Sequence, residues 1–231
     1  MTKIAVLTYN QKHRKTFDTL CLLKAKGYHS IKVFAQPMKY EKKTYPLVNH
    51  RPELIVNIPE PDVLCKNMGY TYIEGRFCET IPESDNDTLF LLCGAGILSM
   101  DFVSRHRIIN SHPGYIPLER GLDAYKWSIY YDIPFGVTTH FLGEYIDGGE
   151  IIGRREIDIY PFDTFHSVAQ RIYENEIDML ISTVEYANDK HEFIVPKNEV
   201  FKRMPSEIEK TLYERFEKRK CKIFAESGMD R

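Results

Sequence analysis

Residues 89–96 read LFLLCGAG. An unbroken apolar run of five residues closed by two glycines is too short for a membrane span and shows no alternation. It suits a strand buried on both faces, as in the middle of a parallel sheet. Shorter apolar runs recur at Ile4–Leu7, in SIKVFA (30–35), in YTYIEG (70–75) and in RIIN (107–110). Between them the spacing turns helical. Phe17, Leu20, Cys21 and Lys24 share one face, with Gly27 placed to end the helix. Val63–Met68 predicts a short helix ending at Gly69, and Ile97–Val103 a turn or two more. Strand and helix in alternation predict an open, mostly parallel α/β sheet of Rossmann-like type with right-handed crossovers. Residues 40–61 are irregular, with Leu54–Ile58 as a further candidate strand.

The pattern then changes. FGVTTHFL (135–142) and GEIIGRREIDIY (149–160) alternate, with GEYIDGGE (143–150) between them, which predicts an antiparallel hairpin with a long connection. Phe165, Val168, Ala169, Ile172, Tyr173, Leu180, Ile181 and Val184 form the stripe of a long helix, with Asp163 or Thr164 as its cap. Charged and polar residues dominate from Asn188 onward. Ser206 and Glu209 have the spacing of a capping box for a helical segment of about 206–224. This extension (188–231) is either a solvated helix packed on its own domain or a dimer contact.

Composition narrows the function. Lys+Arg 31 against Asp+Glu 33 gives a net charge of −2, so no bulk field favours nucleic acid or an anionic membrane. The five cysteines are an odd number without metal spacing, which predicts reduced thiols in the cytoplasm and no metal site. The opening MTKIAVLTYN is expected to be neither signal peptide nor span.

Chemistry concentrates where the last parallel strand runs out. Residues 110–127 read NSHPGYIPLERGLDAYKW. In open α/β sheets, ligands bind beyond the carboxyl ends of the strands. Asn110 and His112 stand at one such end and Asp147 in a later loop. An amide donates to an oxygen gaining charge, an imidazole exchanges protons near neutrality, and a carboxylate orients that imidazole. No Ser or Cys lies in a nucleophile elbow, so the trio suits direct acyl transfer without an acyl-enzyme. His140, inside the FGVTTHFL strand, reads more readily as a core histidine than as part of this group. A metal role for His112, His140 and Asp147 would need loss of activity on chelation.

The segments NSHPGYIPLERGLDA and FGVTTHFLGEYIDGGEII resemble the paired signature of the 10-formyltetrahydrofolate-dependent formyltransferases. Asn110, His112, Pro113, Pro117, Gly121, Ala124, Gly136, Val137, Thr138, His140, Asp147 and Gly149 carry it. The resemblance covers roughly residues 1–187, which it implies are a catalytic domain with the Rossmann-like formyltransferase fold. It implies Asn110, His112 and Asp147 as catalytic residues, and N10-formyltetrahydrofolate as co-substrate. Gly96, Ile97 and Leu98 would read its pterin from one side, and Tyr145 and Ile146 from the other. A cis peptide is implied at Ile116–Pro117, where prolines and glycines would stiffen the catalytic loop.

Within that family, GLDAYKW (121–127) is similar to the nucleotide-sugar N-formyltransferases, especially those acting on dTDP-linked 4-amino-4,6-dideoxy sugars. These are short, commonly dimeric and serve O-antigen or other glycan synthesis. The first loop, TYNQKHRK (8–15), has no glycine, unlike the phosphate loop of the glycinamide ribonucleotide enzymes. The extension is shorter than the C-terminal domain of the methionyl-tRNA enzymes, and the first strand is expected to start at Lys3, where the deformylases carry an extra N-terminal regulatory domain. Tyr9, Asn10 and Arg76 are candidates for the nucleotide sugar, although Tyr9 also suits the core. Lys12, His13, Arg14 and Lys15 read as a solvated helix start on the rim where a diphosphate could sit. Trp127 reads as packing. A formyltetrahydrofolate hydrolase, a transferase with a different amine acceptor (a ribonucleotide or UDP-amino sugar) and a non-catalytic binding protein remain as alternatives.

Overall fold

Five strands, β1 (Lys3–Tyr9), β2 (Ile31–Gln36), β3 (Thr71–Glu74), β4 (Thr88–Leu92) and β5 (Arg107–His112), pair in parallel. Three more, β6 (Gly136–Phe141), β7 (Gly149–Glu156) and β8 (Glu192–Ile194), extend the sheet antiparallel, giving the order β3-β2-β1-β4-β5-β6-β7-β8. The computed structural model describes residues 3–38, 45–52, 57–82 and 87–226. The candidate strand Leu54–Ile58 falls outside them except for Asn57 and Ile58, which are not in a strand. The chain runs outward from β1 to β3 and then restarts on the other side of β1 with β4. That reversal sets the ligand-binding crevice at the carboxyl ends of β1 and β4.

The central strands β1 and β4 are largely apolar because helices cover both of their faces. Ile4 and Val6 face Leu20 and Leu23 of α1 (Arg14–Ala25) and Tyr173, Ile177 and Leu180 of α6 (Phe165–Ser182). Ala5 and Leu7 face the opposite core, where Phe90 and Ile108 meet Phe77 of α3 (Phe77–Thr80) and Phe102 of α4 (Met100–Arg105). The helix α2 (Pro61–Met68) ends at Gly69 in the left-handed region, with φ of 71°. The cap of α6 is Thr164, whose hydroxyl and that of Ser167 bond each other's backbone N–H groups. Among the described residues no helix is long and apolar enough to cross a membrane.

The extension departs from the expected capping box. The N-cap of α7 (Ser206–Glu209) is Pro205, and the helix breaks before α8 (Leu212–Glu226). Glu209 does not turn back on its own helix. Its Oε1 contacts Lys126 Nζ of α5 (Ala124–Tyr131), both side chains being buried, and its Oε2 accepts the Leu47 N–H at 2.6 Å. A buried cation pulls harder on a carboxylate than one helix N–H does. Leu212 and Phe216 enter a third apolar core with Tyr125, Trp127, Phe135, Val168 and Ile172, so the apolar face of α8 is covered within the chain. The short strand β8 escaped prediction because three residues, two of them exposed, carry no periodic signal.

Candidate active site

Successive side chains of a strand point to opposite faces. On β5 this turns Asn110 and His112 to the side of Ile108, and Ser111 to the side of Ile109. Antiparallel pairing with β6 sets Asn110 directly opposite His140, and His112 opposite Thr138. A register shift in the β6–β7 ladder falls between Thr139 and His140, as irregularities beside functional sites commonly do. His140 Nδ1 is 3.1 Å from its neighbour's carbonyl, Phe141 O, and its Nε2 is 3.3 Å from Asn110 Nδ2. With Nδ1–H donating, Nε2 accepts from the amide. That orients Asn110 and leaves its second N–H to donate to a bound oxygen.

Asp147 lies in the β6–β7 connection and closes the group. Its Oδ1 is 3.6 Å from His140 Nε2, its Oδ2 is 3.6 Å from His112 Nδ1, and Oδ2 accepts the Gly121 N–H at 2.8 Å. The three expected residues are thus brought together, with His140 as a fourth member. Burial lowers the pKa of His112, which Asp147 opposes, and the balance is downward. Burial alone would raise Asp147, but the two imidazoles and the Gly121 N–H outweigh it and hold the carboxyl below its usual range. At neutral pH this is a neutral imidazole beside a carboxylate. His112 Nε2 is buried and has no hydrogen-bond partner among the described residues, so it is free for a ligand. A Cβ at Gly114 would stand 2.6 Å from that nitrogen, which explains the glycine.

The loop after β5 is held rigidly. Its Ile116–Pro117 peptide is cis. The Thr138 hydroxyl donates to Gly114 O at 2.8 Å and accepts the Ile116 N–H at 3.1 Å, and Arg154 Nε donates to Ile116 O at 2.7 Å. On the expected pterin side, Gly96 N–H donates to the Tyr9 hydroxyl at 2.8 Å. Ile97 is fully exposed, Leu98 and Tyr145 are half-buried, and Ile146 is exposed.

The candidate sugar contacts sit elsewhere. Asn10 Nδ2 donates to Glu74 Oε1 at 3.0 Å, and Arg76 pairs with Glu79 at 3.5 Å on the exposed surface. Both lie toward β3, away from β5 and β6. Tyr9 packs its ring edge-on to His13, with centroids 5.5 Å apart. The run from Lys12 to Lys15 is not simply a solvated helix start. Lys15 Nζ reaches the buried Glu176 carboxylate at 2.8 Å, which Arg51 also grips through both terminal nitrogens. Burial and these two cations lower His13 to about 4. Burial works against Glu176, but Arg51 and Lys15 hold it down at about 2. Nothing in the local sequence pairs residue 15 with residue 176; the α1–α6 packing does.

The family model described as Formyl transferase matches residues 3–184. A phosphoribosylglycinamide formyltransferase from Haemophilus influenzae is 36% identical over 83 residues, which are 35% of this chain and 39% of that protein. A dTDP-4-amino-4,6-dideoxyglucose formyltransferase from Mycobacterium bovis is 32% identical over 83 residues, 36% of each chain. These alignments therefore span under two fifths of either relative. The N-formyltransferase from Helicobacter canadensis, solved with folinic acid and dTDP-3-aminofucose, superposes with a TM-score of 0.59 at 15% identity, covering 88% of this chain and 71% of that one. It shares the fold. With the family model spanning most of the sheet and the whole of α6, the chain belongs to the formyl transferase family.

Proposed function

We propose that this protein transfers the formyl group of N10-formyltetrahydrofolate to the amino group of a nucleotide-linked sugar, by direct attack with no acyl-enzyme. The observation that carries the reading is Asp147 held between His112 and His140, with Asn110 oriented across the strand pair. The amine nitrogen attacks the formyl carbon. The free N–H of Asn110 donates to the carbonyl oxygen as it gains charge, an interaction worth typically about 2.7–4 kcal/mol in the transition state. Asp147, an anion at neutral pH, accepts a proton from the attacking nitrogen. Asp147 passes that proton to Nδ1 of His112, 3.6 Å from its Oδ2, as Nε2 of the same ring gives its own proton to N10 and the bond to the formyl carbon breaks, so the ring ends neutral and the carboxylate is restored. The residues fit such a donor: an unpartnered buried imidazole nitrogen at the reacting centre, and exposed apolar Ile97 and Ile146 for an aromatic ring.

For the acceptor we take a dTDP-linked 4-amino-4,6-dideoxy sugar destined for O-antigen or related glycans. The GLDAYKW segment and the absence of glycine from residues 8–15 support it, as does the dTDP-sugar relative. Five unpaired cysteines suit work in the reducing cytoplasm, and a homodimer through the outer face of the extension belongs to the same reading. The test is to incubate the protein with 10-formyltetrahydrofolate and a panel of dTDP- and UDP-amino sugars plus glycinamide ribonucleotide, and to follow product mass. One formyl group gained by a dTDP-4-amino sugar is the expected result. Formylation of the ribonucleotide alone would move the protein to purine chemistry, and formate release without acceptor would make it a hydrolase.

A further inference from the structure

The extension bears on the reaction although none of its residues belongs to the catalytic group. Pro196 lies against Gly148, where a Cβ would meet its Cγ at 2.5 Å. Asn198 Nδ2 donates to Pro117 O at 2.6 Å and Leu118 O at 3.2 Å. Phe201 N–H donates to Arg120 O at 2.7 Å, and Leu122 N–H donates back to Phe201 O at 2.9 Å. This two-bond clasp is so close that a Cβ at Gly121 would stand 2.2 Å from Phe201 O. The chain at residues 196–201 is thus hydrogen-bonded along the catalytic loop, not draped over it.

Arg120 joins that strap to Asp147. Its side chain is buried, at 6% exposure. One end nitrogen, Nη1, donates to Asn198 O at 2.8 Å. Its Nε donates to Ile146 O at 2.9 Å and Asp147 O at 3.0 Å, and its Nη2 to Ile146 O at 2.6 Å. Asp147 has φ of 44°, a left-handed conformation that a residue other than glycine holds only when its surroundings enforce it. Arg120 grips the main chain of that residue while the N–H of the next residue, Gly121, grips its carboxylate. A planar fork of five donors suits this converging set of carbonyls, and a lysine ammonium does not.

We propose that Arg120 is a positioning residue for Asp147, and that the strap 196–201 completes the active site by holding Arg120 and its loop. The proposal rests on the reading of Asp147 as a reacting group. A misplacement of about 1 Å at a reacting group costs on the order of 10²-fold in rate. The test compares Arg120→Met, Arg120→Lys and Asn198→Ala with the parent protein. Steady-state rates are measured across pH, alongside ring titrations of His112 by NMR, which require no turnover. Arg120→Met should lower kcat by about 10²-fold with KM little changed. Arg120→Lys should recover only part of that loss, and Asn198→Ala, an exposed position, should lower kcat by a smaller factor in the same direction. In each, His112, which Asp147 raises, should titrate lower as the carboxylate moves away. Folded Arg120→Met or Asn198→Ala protein with parental kcat and parental ring titrations overturns the proposal. If Arg120→Met does not fold, Asn198→Ala decides by the same readouts. A parent protein that transfers no formyl group defeats the functional reading, while the ring titrations still decide whether Arg120 positions Asp147.

Discussion

His140 Nε2 and Asp147 Oδ1 lie 3.6 Å apart across the turn that joins β6 to its hairpin partner. The imidazole is completely buried, so on the histidine side the contact is closed to water. His140→Leu keeps the volume roughly but deletes this contact and the Asn110 bond together. Turnover should fall by about 10²-fold, the size of losing one preorganised donor, while urea unfolding stays cooperative. Parental turnover in a folded His140→Leu protein would return His140 to a purely structural role.

Asn110→Ala and His112→Ala should each lower kcat by about 10²–10⁴-fold. Asp147→Asn should do the same, since an amide cannot accept the proton. Burial lowers His112, so its neutral form persists below the usual imidazole pKa of 6.5. The acid limb of the kcat–pH profile should therefore lie below pH 6.5 and not above it. A limb centred near or above 7 in the parent protein would contradict the assignment.

Glu119 gives a pH effect on stability. Burial is the main cause that pushes its carboxyl up to about 8, against the hydrogen bond from Ser128, and its Oε2 has no partner among the described residues. An unfolded Glu releases its proton near 4.5, so between those values the folded chain binds more protons than the unfolded one. The stabilisation is complete below pH 4.5 and is lost as pH rises through about 8. The difference is on the order of 5 kcal/mol. Glu119→Gln should flatten this decline in urea midpoints recorded from pH 5 to 9. An equal slope in both proteins would place the proton elsewhere.

Lys126 and Glu209 form an ion pair whose side chains are 0% and 1% exposed. Removing the Glu209 charge leaves the buried Lys126 ammonium only the longer contact to Asp123, at 3.8 Å. Glu209→Gln should therefore destabilise by roughly 3–5 kcal/mol. The double replacement Lys126→Met with Glu209→Leu should cost clearly less than that single change, because no charge is left unpaired. Additive losses in the double-mutant cycle would show that the pair does not couple the extension to α5.

Buried strands advertise themselves in sequence, because covering both faces demands unbroken apolar runs. That is why β1, β2, β4 and β5 were legible from Ile4–Leu7, SIKVFA, LFLLCGAG and RIIN. The long helix was legible for a related reason, its stripe of apolar residues at helical spacing beginning at Phe165 behind a Thr cap. The short strand β8 was not, since three residues carry no periodic signal, nor was the break after α7, where Glu209 answers to the distant Lys126.

By itself the sequence determined an α/β sheet and a Gly- and Pro-stiffened loop at a strand end, and it singled out Asn110, His112 and Asp147. Those are properties of local pattern and of motif spacing. Only the tertiary structure decided that His140 joins them, that Glu176 gathers Lys15 and Arg51, that Glu209 reaches Lys126 rather than its own helix, and that Arg120 clasps Asp147. The physical reason is common to all four. Buried polar groups must find partners, and which partners are within reach depends on strand register and helix packing between residues far apart in the chain.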